Sequence, residues 1–125
     1  MRGILIDPFE MTCTEVQYEG DYNEVYKLIK ADLFDIIGLE FDDSLFVDDE
    51  GLHKQNEFFE FEGYPQQIAG RAVVLGTSLD GDTVSAVHTL EQIKKRVKFV
   101  TPARVNGEII WMPSAIARQI FPAVA

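Results

Sequence analysis

Apolar and polar residues alternate along much of this chain with the period of two that strands require, and switch to helical spacing at only a few places. Arg2 to Asp7 is a short apolar run stopped by Pro8, which predicts a first strand. From Met11 to Tyr18 the residues Thr12, Thr14, Val16 and Tyr18 fall on one face and Cys13, Glu15 and Gln17 on the other, a second strand. Asp7-Pro8-Phe9-Glu10 supplies turn chemistry between them, so the two predict a hairpin. Asp21 then offers an N-cap with Glu24 three residues on, and Tyr22, Val25, Tyr26 and Ile29 follow at helical spacing. This predicts a helix from Tyr22 to about Ala31.

Leu33 to Phe41 reads as a third strand, and Leu45 to Val47 as a segment pairing back on it after the turn Asp42-Asp43-Ser44. Leu52 to Gln55 leads into Glu57–Glu62, where Phe59 and Phe61 alternate with Glu60 and Glu62. Gly63-Tyr64-Pro65-Gln66-Gln67 is a loop, with Pro65 holding Tyr64 out of the helical region. The continuous run Ala72-Val73-Val74-Leu75, within a strand from Arg71 to Thr77, predicts the central strand of a sheet. Asp80-Gly81 predicts a tight primed turn into a partner strand, Thr83 to Val87. Thr89 and Gln92 form a capping box for a second helix that buries Leu90, Ile93 and Val97.

Phe99 to Thr101 predicts a further strand ahead of Pro102. Beyond it lie a hairpin around Asn106-Gly107, a strand Glu108 to Met112, and a helical turn or two capped by Ser114 and reaching Phe121. The fold class that follows is α+β: a mixed, mostly antiparallel twisted sheet with two short helices and a C-terminal hairpin and helix extension. The economical division is a compact domain over residues 1–101 and an extension over 102–125, which docks through Ile110, Trp111, Ile116, Ile120 and Phe121 on the domain or on a second copy.

Composition narrows the class without naming an activity. The 125 residues suit one core, and 46% hydrophobic with 26% charged residues is a globular balance. No apolar run approaches the ~20 residues of a membrane span, and the start turns acidic too early for a signal peptide, so the expectation is a cytoplasmic protein. Charge is unevenly placed. Residues 1–62 hold 17 acidic against 4 basic side chains, a balance of −13, and residues 63–125 hold 4 against 7, a balance of +3, which together give the net −10. Such an acidic half repels phosphate backbones and attracts basic partners.

Catalytic patterns are missing. Cys13 is the sole cysteine and reads as a small buried residue, which excludes an intrachain disulfide. His53 and His88 stand alone without metal-ligand spacing, and no Gly-x-Ser-x-Gly elbow supports a Ser85–His88 mechanism. Gly70 to Gly76 lacks the Gly-Lys-Ser/Thr ending of a phosphate loop. No catalytic residue, metal ligand or cofactor is therefore assigned. Two binding surfaces remain. One is the loop carrying Tyr64, Gln66 and Gln67 with Arg71 nearby, able to grip a small planar or phosphorylated ligand. The other is an acidic array of Asp42, Asp43, Asp48, Asp49, Glu50, Glu57, Glu60 and Glu62, able to imitate a phosphate backbone for a basic protein or to lie as solvated turn acids.

In order, ILIDPFEMTCTEVQY, GDYNEVYKLI, FDII, LFVDDEGL, FEGYPQQIAGRAVVLGT, DGDTVS and TLEQIKKRVKFV resemble a small family of uncharacterised domains carried mainly by bacteriophages, prophages and plasmids. The likeness spans roughly residues 1–101. It implies a short α+β domain with no catalytic set to carry over. With the charge split, it points first to a non-enzymatic accessory protein that binds a host protein with a basic surface. The alternatives are a binder or sequestering protein for a small nucleotide signal and, third, a metal-dependent enzyme built on the acids. A homo-oligomer is compatible with all three.

Overall fold

In the computed structural model, described over residues 1–54 and 57–120, β1 (Arg2–Asp7) and β2 (Thr12–Gln17) form an antiparallel hairpin with Ile6 opposite Cys13. The Asp7 carboxylate closes its turn by accepting the N–H groups of Phe9 and Glu10. Helix α1 (Tyr22–Ile29) starts at a complete capping box, Asp21 with Glu24, and stops at Lys30, whose left-handed backbone returns its N–H to the Tyr26 carbonyl.

The third strand is shorter than the apolar run suggests. β3 (Phe34–Gly38) ends in a tight 3₁₀ turn, Glu40–Asp42, in which Phe41 and Asp42 both take positive φ, 62° and 60°. The chain reverses there into β4 (Asp43–Asp48), pairing Gly38 with Ser44 and Phe34 with Asp48. A single turn, α2 (Gly51–Lys54), precedes β5 (Phe58–Phe61), β6 (Ile68–Ala69) and β7 (Ala72–Thr77). Gln55, the side chain of His53, and Phe121 lie outside the described residues.

β7 is central, between β1 and β4, and its first five residues are buried, as a continuous apolar run requires. Past β1 it pairs with β8 (Thr83–Val84). Gly76 permits this approach, because a Cβ there would stand 2.4 Å from the Ser85 carbonyl oxygen. Thr77 opposite Thr83 leaves a five-residue loop, with the Ser78 carbonyl accepting the Gly81 N–H, where Asp80-Gly81 predicts a two-residue turn. β8 also stops early: beyond it the Ala86 N–H goes to the Arg2 carbonyl, and those of Val87 and His88 go to the Asp43 carboxylate.

Helix α3 (Leu90–Arg96) carries the Thr89–Gln92 capping box and runs directly into β9 (Val97–Val105), three times the length predicted. Pro102 sits within β9 because β5 pairs only as far as Val100, which leaves residue 102 with one partner strand, β10 (Glu108–Pro113). Asn106 and Gly107, at φ 51° and 82°, make the two-residue turn between them. Helix α4 (Ser114–Ile120) follows; the Ser114 hydroxyl is buried against that of Thr101, 2.9 Å away.

The α+β class holds, with the strands divided between two sheets, ordered β2-β1-β7-β4-β3 and β10-β9-β5-β6, and every described pairing antiparallel. Between them lies the main core, where Ile4, Ile6, Leu45 and Val74 meet Phe59, Phe61, Ile68 and Ile93 of α3. On the far face of the first sheet, Phe46, Val73 and Leu75 are covered by Val25 and Ile29 of α1. Phe58, Ala69 and Val100 form a small outer cluster against which the Trp111 ring packs edge-on, at 5.1 Å from Phe58. Arg118 of α4 donates to the carbonyls of Pro8 and Phe9. Among the described residues no helix is long and apolar enough to cross a membrane.

Candidate functional site

The loop from Glu62 to Gln67 stands where β5 leaves the second sheet beside the junction of α3 and β9. Two backbone bonds fix it, Glu62 N–H to Arg96 carbonyl at 2.9 Å and Tyr64 N–H to Phe61 carbonyl at 3.0 Å. Gly63 combines φ +94° with a close neighbour: the Arg96 guanidinium lies 3.2 Å from the place a Cβ would take. Between loop and junction is a groove of about 270 Å³, lined by Tyr64, Gln66 and Gln67 on one wall and by Lys95, Arg96 and Lys98 on the other, with Glu60 and Glu62 along its edge.

Arg96 is the built part of this groove. Its guanidinium stacks 4.5 Å from the Phe61 ring centre, donates from Nη2 to the Glu62 carbonyl at 2.7 Å and from Nη1 to Glu40 Oε1 at 2.7 Å. Its Nε is buried with no acceptor among the described residues. That guanidinium, through its hydrogen bond, holds the Glu40 carboxyl below the usual carboxylate range. Lys95 and Lys98 are exposed and make no hydrogen bond or ion pair among the described residues. Gln67 Nε2 donates to Glu60 Oε2 at 3.0 Å, and Tyr64 is half-buried against the core and lines the groove.

Of the four ligand-binding candidates, Tyr64, Gln66 and Gln67 come together and Arg71 does not join them. Antiparallel register places Arg71 beside Asp7, because Ala72 pairs with Ile6. Its Nε reaches Asp7 Oδ2 at 3.2 Å and its guanidinium lies over the Phe9 ring, so its charge is spent in the first hairpin. The cations of the groove are instead those of the α3–β9 junction, Lys95, Arg96 and Lys98, none of which the sequence singled out.

The acidic candidates scatter. Asp43 and Asp48, at opposite ends of β4, are buried, which removes them from any outer surface. Glu57 is half-buried near Arg118 Nη2 at 3.4 Å, and Glu60 holds Gln67. Asp42, Asp49, Glu50 and Glu62 are exposed, but Asp42 and Asp49 lie beyond opposite ends of a six-residue strand, about 20 Å apart at strand rise. A second depression, about 190 Å³, adjoins the other side of the loop, where Tyr64, Gln66 and Gln67 meet Asp35, Asp48 and Asp49.

Asp43 itself belongs to a cluster that no motif announces. Its carboxylate accepts the N–H groups of Val87 (2.9 Å) and His88 (2.8 Å), and its Oδ2 lies 2.7 Å from His88 Nδ1. The opposite ring nitrogen, Nε2, lies 3.5 Å from Glu40 Oε1, the oxygen that Arg96 holds. The Phe41 ring packs on the imidazole at 5.5 Å, and Arg2 donates to the carbonyls of Ala86 and His88. Forty-five residues separate Asp43 from His88, so sequence spacing carried no trace of the pair. Ser85 turns its hydroxyl to the Arg2 N–H, away from any role with His88.

A wider, more apolar hollow of about 410 Å³ lies between β2 and the start of β9, with Cys13, Val97 and Phe99 among its lining and Lys94 its sole charged group. Burial there pushes the Cys13 thiol up to about 11, which leaves it protonated and unreactive at neutral pH. Although larger, this hollow gathers fewer polar groups than the groove at the loop. Among the described residues no three His, Cys, Asp or Glu side chains converge as metal ligands would.

Comparison with known proteins adds one match. The family described as Domain of unknown function (DUF3846) covers residues 1–98 and so ends at the second residue of β9. No curated protein and no solved structure matches the chain.

Proposed function

Since this chain belongs to the DUF3846 family, a domain of unknown function, its role has to be argued from its own groove, and we propose a non-catalytic module that captures a small phosphorylated ligand there, of nucleotide type. The carrying observation is the pair Lys95 and Lys98, two exposed cations without partners among the described residues, beside Tyr64 and two side-chain amides. Two ammonium groups take phosphate oxygens through charge-assisted bonds. Glu60 and Glu62 on the same groove disfavour bare phosphate and favour a ligand whose far end carries N–H donors, as a nucleobase does. Tyr64 offers that base an apolar edge.

Denaturing the purified protein and weighing what it releases by mass spectrometry is the direct test, followed by thermal shift with ATP, GTP and inorganic phosphate. A bound nucleotide at 100 times its Kd adds about 2.7 kcal/mol to stability, a shift of several degrees. Lys95→Ala and Lys98→Ala are each expected to weaken binding roughly tenfold. No released nucleotide together with no shift for either triphosphate at millimolar concentration sinks the reading.

A second reading rests on the charge split. Exposed acids cluster on the first half of the chain, among them Asp32 and Asp35 on or beside the edge strand β3 and Asp49 and Glu50 after β4, which favours a basic protein partner. Carriage by a phage or plasmid, with a partner in the host cytoplasm, belongs to this reading and rests on the sequence resemblance.

A further inference from the structure

We propose that His88 and the groove are coupled: Asp43, His88, Glu40 and Arg96 form one relay, so that protonating His88 frees Arg96 toward the groove and a captured anion draws a proton onto His88. The regulatory part rests on the ligand-binding reading above; the relay itself does not.

Asp43 fixes the tautomer. Both its oxygens accept backbone N–H groups and Oδ2 also faces Nδ1 at 2.7 Å, so Nδ1 carries a hydrogen and donates. In neutral His88 the remaining nitrogen, Nε2, then carries a bare lone pair 3.5 Å from Glu40 Oε1. A lone pair facing a carboxylate oxygen is unfavourable unless a cation occupies that oxygen, and Arg96 Nη1 does so at 2.7 Å. One oxygen therefore serves two claimants, the imidazolium when it forms and the guanidinium otherwise. Among the described residues, the charged groups that contact His88, directly or through Glu40, come from four elements. Asp43 comes from β4, Glu40 from the 3₁₀ turn with Arg96 of α3 behind it, and Arg2 of β1 holds the His88 carbonyl rather than its ring.

The turn is built to hold this arrangement. Two consecutive non-glycine residues, Phe41 and Asp42, take left-handed backbone, a conformation costing on the order of 1 kcal/mol or more each. It places Glu40 against His88 while the Phe41 ring covers the imidazole, leaving His88 only 4% exposed. At the other end Arg96 lines the groove itself. An anion that engages Arg96 leaves the Glu40 charge uncompensated beside Nε2, which favours imidazolium. By linkage, affinity for the anion rises as pH falls through the His88 midpoint.

Histidine ring resonances followed by NMR against pH test the relay without any ligand, with H53Q separating the two histidines. Glu40→Gln, a change at an exposed position that removes the carboxylate beside Nε2, is expected to lower the His88 midpoint, and Arg96→Gln, which removes the competing cation, to raise it. Midpoints unmoved in both variants overturn the inference. Calorimetric titration with GTP or ATP in two buffers of different ionisation enthalpy then reads proton uptake, expected as a fraction of one proton per nucleotide and absent in H88Q. Binding with zero uptake overturns the coupling and leaves the groove reading standing. Shifted midpoints with no nucleotide bound leave the relay standing and overturn the groove reading.

Discussion

Asp43 is the residue on which the first sheet's end depends. With its side chain fully buried, it satisfies two backbone N–H groups and one ring nitrogen that no other described group reaches. Asp43→Ala orphans all three donors and is expected to cost about 3 kcal/mol, since each buried unsatisfied donor costs roughly 1–3 kcal/mol and some regain water. Urea unfolding measures this; a loss under 1 kcal/mol would show the donors rehydrate freely. In the sequence, Asp43 was one acid in a run of turn acids, and nothing local separated it from its exposed neighbour Asp42. Arg71 fails in the same way: its type suited a ligand, but only the β1–β7 register shows that Asp7 already holds it.

At the scale of elements the sequence spoke most clearly where the deciding chemistry is local. Both capping boxes form, because each needs only residues three apart. Thr89→Ala removes the bond from the Gln92 N–H and is expected to cost about 1 kcal/mol, read as a lower melting temperature, with no change in nucleotide affinity. Should Thr89→Ala abolish binding, the α3–β9 junction would be less rigid than its backbone bonds to the loop suggest. Elements ended elsewhere than predicted when a distant group intervened. β8 stops where the Arg2 carbonyl takes the Ala86 N–H and Asp43 those of Val87 and His88, and β9 continues because β10 supplies a second partner past Pro102.

For the whole molecule, charge is the property with consequences beyond any one site. A balance of −13 on residues 1–62 and +3 on the rest makes any basic partner of the acidic half an electrostatic one. Capture of such a partner from a cell lysate is expected to fall steeply between low salt and about 0.5 M, where the screening length is only a few ångströms. A partner retained unchanged across that range would exclude the charge-led reading. The nucleotide binding proposed for the groove would rest on two lysines and is expected to weaken less over the same range.

By itself the sequence determined the α+β class, the placement of α1, α3 and the central strand, the turn at Asn106-Gly107, and the loop that forms one wall of the groove. Each of these follows from spacing or backbone preference within a few residues, which chain connectivity carries wherever the segment ends up. The tertiary structure alone decided the rest: two sheets in place of one, the burial of Asp43 and Asp48, the removal of Arg71, the arrival of Lys95, Arg96 and Lys98, and the meeting of Asp43 with His88. Those depend on which strands pair and in what register. Such choices are set by the burial of a shared core, a sum over residues far apart in the chain, and no short pattern records them.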